Sequence, residues 1–247
     1  MSRTTRLRLF LVAAAVLAAG LITAAGRLPG FGGLRHPYGE RAVAAGLERR
    51  TANIVSSVNF DQRAFDTLGE ESILFGSVLG AGMLLRLARD EHKRGAAAEP
   101  VLPTTRLFGA TLLPVTVLTG GYLVAHGALS PGGGFQGGVA LATALHLAYV
   151  AADYRVLKRI RPLAALDVAD ALAAGAFAAL GLVGLAAGAG YLANTLPLGT
   201  FNQLASSGLV AVVNAAVGVE VASGVVVLLA HFLDQAVEVA PAGGAGE

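Results

Sequence analysis

The chain has no cysteine. That absence removes disulfides, thiolate metal sites, thiolate-ligated iron–sulfur clusters and cysteine nucleophiles together. Charge is scarce as well. Asp, Glu, Lys and Arg make up 14% of the residues, against about 25% in a soluble domain. The few charges nearly cancel, leaving a formal +2 over 247 residues, so the pI near 9.2 reports where charges sit rather than a nucleic-acid-binding face. Basic runs are short and have few aromatics beside them, which sets nucleic acid aside. The five histidines are scattered, with no pair at helical metal-ligand spacing, so neither a metal site nor a cofactor is expected. No nucleophile–base constellation is visible, so a self-contained enzyme is not expected either. What is abundant is apolar: 55% of residues are hydrophobic and the mean hydropathy is +0.65.

A membrane helix needs about 20 mostly apolar residues. Stretches of that kind run over Leu9–Ala25, Leu68–Leu87, Leu107–Ala128 (with Pro114 inside), Phe135–Ala152, Leu166–Leu192 and Leu209–Leu233. The fold class is therefore all-α: a polytopic, multi-pass membrane protein with about six transmembrane helices. The first stretch also fits a signal peptide, with Ala24-Ala25-Gly26 as a weak cleavage site. Between the first two, Glu40–Val58 is compatible with an amphipathic helix lying on the membrane surface.

Loop charges set an orientation. Arg3, Arg6 and Arg8 precede the first span. Arg86, Arg89, Lys93, Arg94 and Arg106 follow the second, and Arg155, Lys158, Arg159 and Arg161 follow the fourth, whereas 126–134 and 193–207 hold no Lys or Arg. The positive-inside rule then places both termini in the cytoplasm. The loop after the first span breaks the pattern with Arg27, Arg35, Arg41, Arg49, Arg50 and Arg63.

Glu220 stands near the middle of the last span. An ionisable group there is expensive and usually faces protein or a water-filled cavity, and helical spacing puts Ala216, Val217, Ser223 and Gly224 beside it. It reads either as a carboxylate that handles a proton or cation, or as a neutral acid bonded between helices. Asn214, on a different face, reads as an interhelical hydrogen bond. Glu70 fits a capping box, Thr67-Leu68-Gly69-Glu70, or an ion path lined with Asp66 and Glu71. His146, inside the fourth span, is a core hydrogen-bonding residue or a proton relay, since imidazole changes charge near neutral pH. Gly184 and Gly188 form a GxxxG pair in the fifth span, a close-packing face for this chain or for another subunit. The run Ser130-Pro131-Gly132-Gly133-Gly134-Phe135-Gln136-Gly137-Gly138 can fold tightly, cradle an ion or bring helices very close. It lacks the ending of a phosphate-binding loop.

Two stretches resemble a known family. From Arg106 to about Leu233 the chain resembles the B subunit of the Mrp (or Mnh) cation/proton antiporters, on His126-Gly127, the glycine run 130–138, and Gly218-Val219-Glu220-Val221 with Gly224. Asn53-Ile54-Val55 and Phe60-Asp61-Gln62-Arg63-Ala64-Phe65-Asp66-Thr67-Leu68-Gly69-Glu70 resemble the C-terminal end of the family's A subunit, or its small hydrogenase counterpart. The family usually shows Asp-Phe/Tyr-Arg where this chain has Phe-Asp-Gln-Arg. The resemblance implies four regions: an A-subunit-like part over 1–94 with two spans and an external loop, a linker over 95–105, a B-subunit-like membrane domain over 106–234, and a disordered tail over 235–247. It implies a cell-membrane subunit that exchanges Na⁺ or another monovalent cation for H⁺ with partner subunits, and it places Glu70, Pro131, Phe135 and Glu220 on family motifs. The proton-pumping channels of that family belong mainly to larger subunits with Lys/Glu chains. This chain has no Lys inside a span, so an ion path wholly within it is not expected. The alternatives are a membrane-arm subunit of a hydrogenase-type complex and a purely structural subunit.

Overall fold

The computed structural model describes residues 3–28, 36–85, 101–152 and 163–233. The basic segments at 86–94 and 155–161, residues 95–100 of the expected linker and the tail 235–247 lie outside them. Every regular element among the described residues is helical. The chain divides after Glu40 into two compact parts. The first carries α1 (Arg3–Gly26), which begins six residues before the expected span. The second holds the other long helices.

Helix α2 (Pro37–Glu48) crosses that boundary and is much shorter than the expected Glu40–Val58 helix. It ends in a Schellman motif: the Thr51 N–H bonds Gly46 O and the Arg50 N–H bonds Leu47 O. Arg50 takes the left-handed conformation there, with φ of 56°. Helix α3 (Ile54–Ser57) is capped by Asn53, whose Oδ1 accepts from the Ser56 N–H, and it runs into a π-helical turn at Val58–Gln62. Gln62 Nε2 ties this turn to Ala42 O and Ser57 Oγ.

Helix α4 (Ala64–Leu84) starts four residues before the expected span. The Thr67–Glu70 capping box is therefore overturned. Thr67 lies inside the helix, where its hydroxyl donates to Asn59 O at 2.7 Å, and the N-cap position is Arg63, whose side chain caps nothing. Then follow α5 (Pro103–Ala125), α6 (Gly134–Ala152), α7 (Leu163–Ala186) and α8 (Leu209–Leu233). Proline suits the first turn of a helix because its missing N–H is unneeded there, so α5 begins at Pro103, inside the expected linker.

Helices α1, α5, α6, α7 and α8 are long and apolar enough to cross a membrane. That makes five by length and composition among the described residues, and the chain is a multi-pass membrane protein. Helix α4 has 21 residues, but Asp66, Glu70 and Glu71 lower its hydropathy.

Helix α8 is the axis of the bundle. It is the most buried of the five, and α4, α6 and α7 pack against it, with α5 outside on α6. Leu209, Val210, Val213, Val217 and Val221 form its inner stripe at helical spacing and meet Phe60, Phe177 and Leu192. The rings of Phe60 and Phe177 meet edge to face at 6.4 Å.

One end of the bundle is tied together by polar bonds. Asn53 Nδ2 donates to Gly127 O and Ser130 O, both at 2.8 Å. Arg49 bonds Asn194 O and Arg50 bonds Gly199 O. Asn194 accepts from the Leu209 N–H and donates to Asp61 and Ser207 O. The starts of α4, α6 and α8 and the ends of α5 and α7 therefore share this end. Two of the arginines that break the loop-charge pattern are spent on carbonyls here, and a third, Arg63, pairs with Asp66.

The glycine run closes the same end. Gly132 and Gly133 have φ of 133° and 137°, which an L side chain rarely adopts. The Gly134 N–H donates to Asn214 Oδ1 at 2.9 Å, and Asn214 Nδ2 donates to Ser56 Oγ and Val210 O. A Cβ on Gly138 would meet Val221 Cβ at 2.7 Å and Gly218 O at 2.9 Å. A Cβ on Gly120 would meet Leu141 N at 2.9 Å and Gly137 O at 3.0 Å. The close helix contacts thus lie between α5 and α6 and between α6 and α8.

The expected GxxxG face in the fifth span is corrected. Helix α7 stops at Ala186 rather than Leu192. Gly188 is its left-handed cap with φ of 76°. Gly184 makes room for the chain's own turn, since a Cβ there would strike Gly190 O and lie 3.0 Å from Ala193 N.

Candidate functional site

The inner stripe of α4 runs through Ala64, Thr67, Glu71 and Val78. The three- and four-residue steps keep these on one face, so the stripe carries a carboxylate into the bundle. Glu71 is 1% exposed and Glu220, opposite it on α8, is 0%. The two carboxyl groups lie against one another, and none of their four oxygens has a hydrogen-bond partner of good geometry. Among the described residues, the charged groups that act on Glu71 are Glu220, Glu70 and Asp170, all acids.

Asp170 of α7 is the third buried acid, at 3% exposed, and its Oδ1 has no hydrogen-bond partner. It faces Gly224 of α8: a Cβ there would lie 3.1 Å from Asp170 Oδ1 and 3.2 Å from Val78 Cγ2. Glycine at 224 therefore leaves the space in which α4, α7 and α8 meet around that carboxylate. Further along, a Cβ on Gly82 of α4 would lie 3.0 Å from Nε2 of His231 on α8. At 1.5 Å rise per residue, Gly224 and His231 lie about 6 and 16 Å along α8 from Glu220. A pocket of about 490 Å³ opens at that level, with Asp167, Asp170 and His231 among its lining residues. The acids thus form a column from the middle of the bundle toward the end where α4 finishes and α7 begins.

Of the residues singled out in the sequence, Glu220 lies in this column. Glu70 does not: it is exposed, about 100° around the helix from Glu71, and reaches the pair only through its charge. His146, on α6, is partly exposed with a buried, unpartnered Nε2, and is not among the groups acting on the acids. Asn214, Gly132, Gly133, Gly134 and Gly138 hold the opposite end together. Ser130 joins that end through its carbonyl, Pro131 is exposed, Phe135 packs on the core, and Gly137 lies against Val124. Sequence reasoning missed Asp170, which has the signature that exposed Glu220: an acid inside an apolar helix. It passed over His231 in the same way.

Residues 104–227 match the family described as a domain related to the MnhB subunit of Na⁺/H⁺ antiporter. An uncharacterized protein of Methanocaldococcus jannaschii is 27% identical over 201 residues, covering 70% of this chain and 73% of that protein. Among solved structures, the chain is similar to one from the membrane-bound sulfane sulfur reductase, an archaeal respiratory membrane complex. The TM-score there is 0.70 at 28% identity, over 92% of this chain and 98% of that one. It also shares its fold with part of a longer chain in the Mrp complex from Dietzia sp. DQ12-45-1b, with TM-score 0.65 and 22% identity over 94% of this chain and 26% of that one.

Proposed function

The chain belongs to the family of domains related to the MnhB subunit of Na⁺/H⁺ antiporter, and from that premise we propose that it is a membrane subunit of a multisubunit antiporter-type complex whose Glu71–Glu220 pair forms part of an ion path. The observation that carries this reading is the pair itself. Two buried carboxyl groups face each other, and every charged group acting on them among the described residues is an acid. Intramembrane acids of this kind mark ion and proton paths. With no basic partner among the described residues, the pair holds a proton or a monovalent cation between its oxygens, and competition of the two for one place is what exchange requires. The chain contributes this element, while partner subunits complete the path and any catalytic chemistry. Both termini face the cytoplasm in this reading, α4 is the sixth span, and residues 1–94 and 106–234 descend from two ancestral pieces.

Replacing Glu220 or Glu71 with Gln in the assembled complex tests it. Na⁺-driven proton release from everted vesicles falls severely in both variants while the subunits still copurify, and Glu70→Gln stays near the unmodified rate. Full exchange in Glu71→Gln and Glu220→Gln overturns the ion-path role.

The near-complete coverage of a respiratory-complex chain favours a second reading, in which this subunit occupies the membrane arm of a redox-driven complex. The partners that copurify decide between the two: large antiporter-like subunits alone for the first, redox subunits for the second.

A further inference from the structure

The pocket at the far end of the acid column has no role in the pair's chemistry as described, yet it is built from the same three helices. Asp167, Asp170 and Ala171 of α7, Leu79 of α4 and His231 of α8 line it. Asp167 and Asp170 are three residues apart and so share a helix face, and the charge of Asp167 acts on Asp170. Asp170 is almost fully buried, and one of its oxygens is unpartnered. No lysine or arginine is among the described lining residues. At about 490 Å³ the pocket has room for over ten waters at about 30 Å³ each. Oxygen ligands from carboxylates and water suit hard alkali and alkaline-earth cations.

We propose that this pocket is a hydrated vestibule in which Asp170 and Asp167 hold a monovalent cation, with its remaining waters, at the mouth of the route to Glu71 and Glu220. The proposal rests on the ion-path reading and adds the binding place and the side from which the cation arrives. Asp170, which lines the pocket, packs its Oδ1 against Gly224, about 6 Å along α8 from Glu220. The mouth lies where α4 ends and α7 begins, next in sequence to the basic segments, which is the cytoplasmic side under the positive-inside rule.

The chain contains no cysteine, so a single introduced thiol reports its own surroundings. In the purified complex, Ala171→Cys is labelled with a charged, membrane-impermeant thiol reagent, in NaCl and in choline chloride of equal ionic strength. The complex with the unmodified chain supplies the background. Labelling proceeds in choline and slows severalfold in Na⁺, and Asp170→Asn in the Ala171→Cys chain abolishes the slowing. Leu79→Cys, on the opposite wall, gives the same pattern and serves if Ala171→Cys does not assemble. A thiol that stays unlabelled in choline, or labels equally in both salts, overturns the vestibule, as does protection by Mg²⁺ but not by Na⁺. Labelling reads access and occupancy rather than turnover. Na⁺ protection with exchange insensitive to Glu220→Gln would leave the vestibule standing and remove the ion-path reading, and the reverse pattern would do the opposite.

Discussion

Glu71 and Glu220 face each other across the interface of α4 and α8, fully enclosed and without a hydrogen-bond partner of good geometry. Glu220 lies inside residues 104–227, which match the MnhB-related family, and Glu71 lies before them. The pair therefore exists only when both parts are folded together.

An unsatisfied buried polar group costs about 1–3 kcal/mol. Two acids held together for function are consequently a burden on stability. The double variant Glu71→Leu/Glu220→Leu raises the thermal unfolding temperature of the purified complex while abolishing exchange, the trade-off seen where a site is kept at a structural cost. Unfolding at a lower temperature would mean that the acids stabilise the bundle and would sink this account.

Asn214 joins three elements at the other end: Gly134 on α6, Ser56 on α3 and its own helix through Val210 O. Removing it leaves the buried Gly134 N–H without its acceptor. Asn214→Ala lowers stability by about 1–3 kcal/mol, and Ser56→Ala by about 1 kcal/mol. Because the two share a bond, their effects are non-additive by about 0.5–3 kcal/mol. Denaturant titration of the four variants in detergent measures that coupling, and strict additivity would show that the Asn214–Ser56 bond carries no weight.

The helical spans were legible because nothing but a membrane accepts such apolar runs, and Glu220 was legible because it interrupts one of them. Glu71 was not. It is adjacent to Glu70 in sequence, and only the start of α4 at Ala64 decides which of the two faces inward. That start depends on the π-helical turn at Val58–Gln62, which tertiary bonds from Gln62 to Ala42 O hold in place. Asp170 was hidden by an apolar, alanine-rich context that drew attention to Gly184 and Gly188. Those glycines shape the end of α7: Gly188 is its left-handed cap, and the chain then folds back so that the Tyr191 hydroxyl donates to Ala178 O and the Leu192 N–H to Gly181 O.

Glycines of the run differ from one in α7 by what surrounds them. A Cβ on Gly134 would sit 2.6 Å from Asn214 O, and one on Gly138 would sit 2.7 Å from Val221 Cβ, whereas one on Gly175 would meet nothing within 4 Å. Gly134→Ala and Gly138→Ala force α6 away from α8 and reduce the yield of assembled complex. Gly175→Ala, at an open helical position, stabilises by about 0.5–1 kcal/mol. Equal yields from all three would contradict the packing described.

Arg50 and Gly188 occupy the same position in two helix ends. Both sit at the left-handed residue of a Schellman motif, with φ of 56° and 76°, closed by Thr51 N–H to Gly46 O in one case and Ala189 N–H to Gly184 O in the other. Glycine is the residue that adopts this conformation without cost, so arginine at 50 requires a compensation. Its guanidinium supplies one by bonding Gly199 O in the loop before α8. Arg50→Ala removes the bond and keeps the strained backbone, while Arg50→Gly removes the bond and relieves it. Arg50→Gly is therefore more stable than Arg50→Ala by about 1 kcal/mol, and Gly188→Ala is less stable than the unmodified chain by about the same amount. Both replacements at 50 free the 194–207 loop equally, so limited proteolysis there accelerates to the same extent in each. A loop cut no faster than in the unmodified chain would show that Arg50 does not hold it.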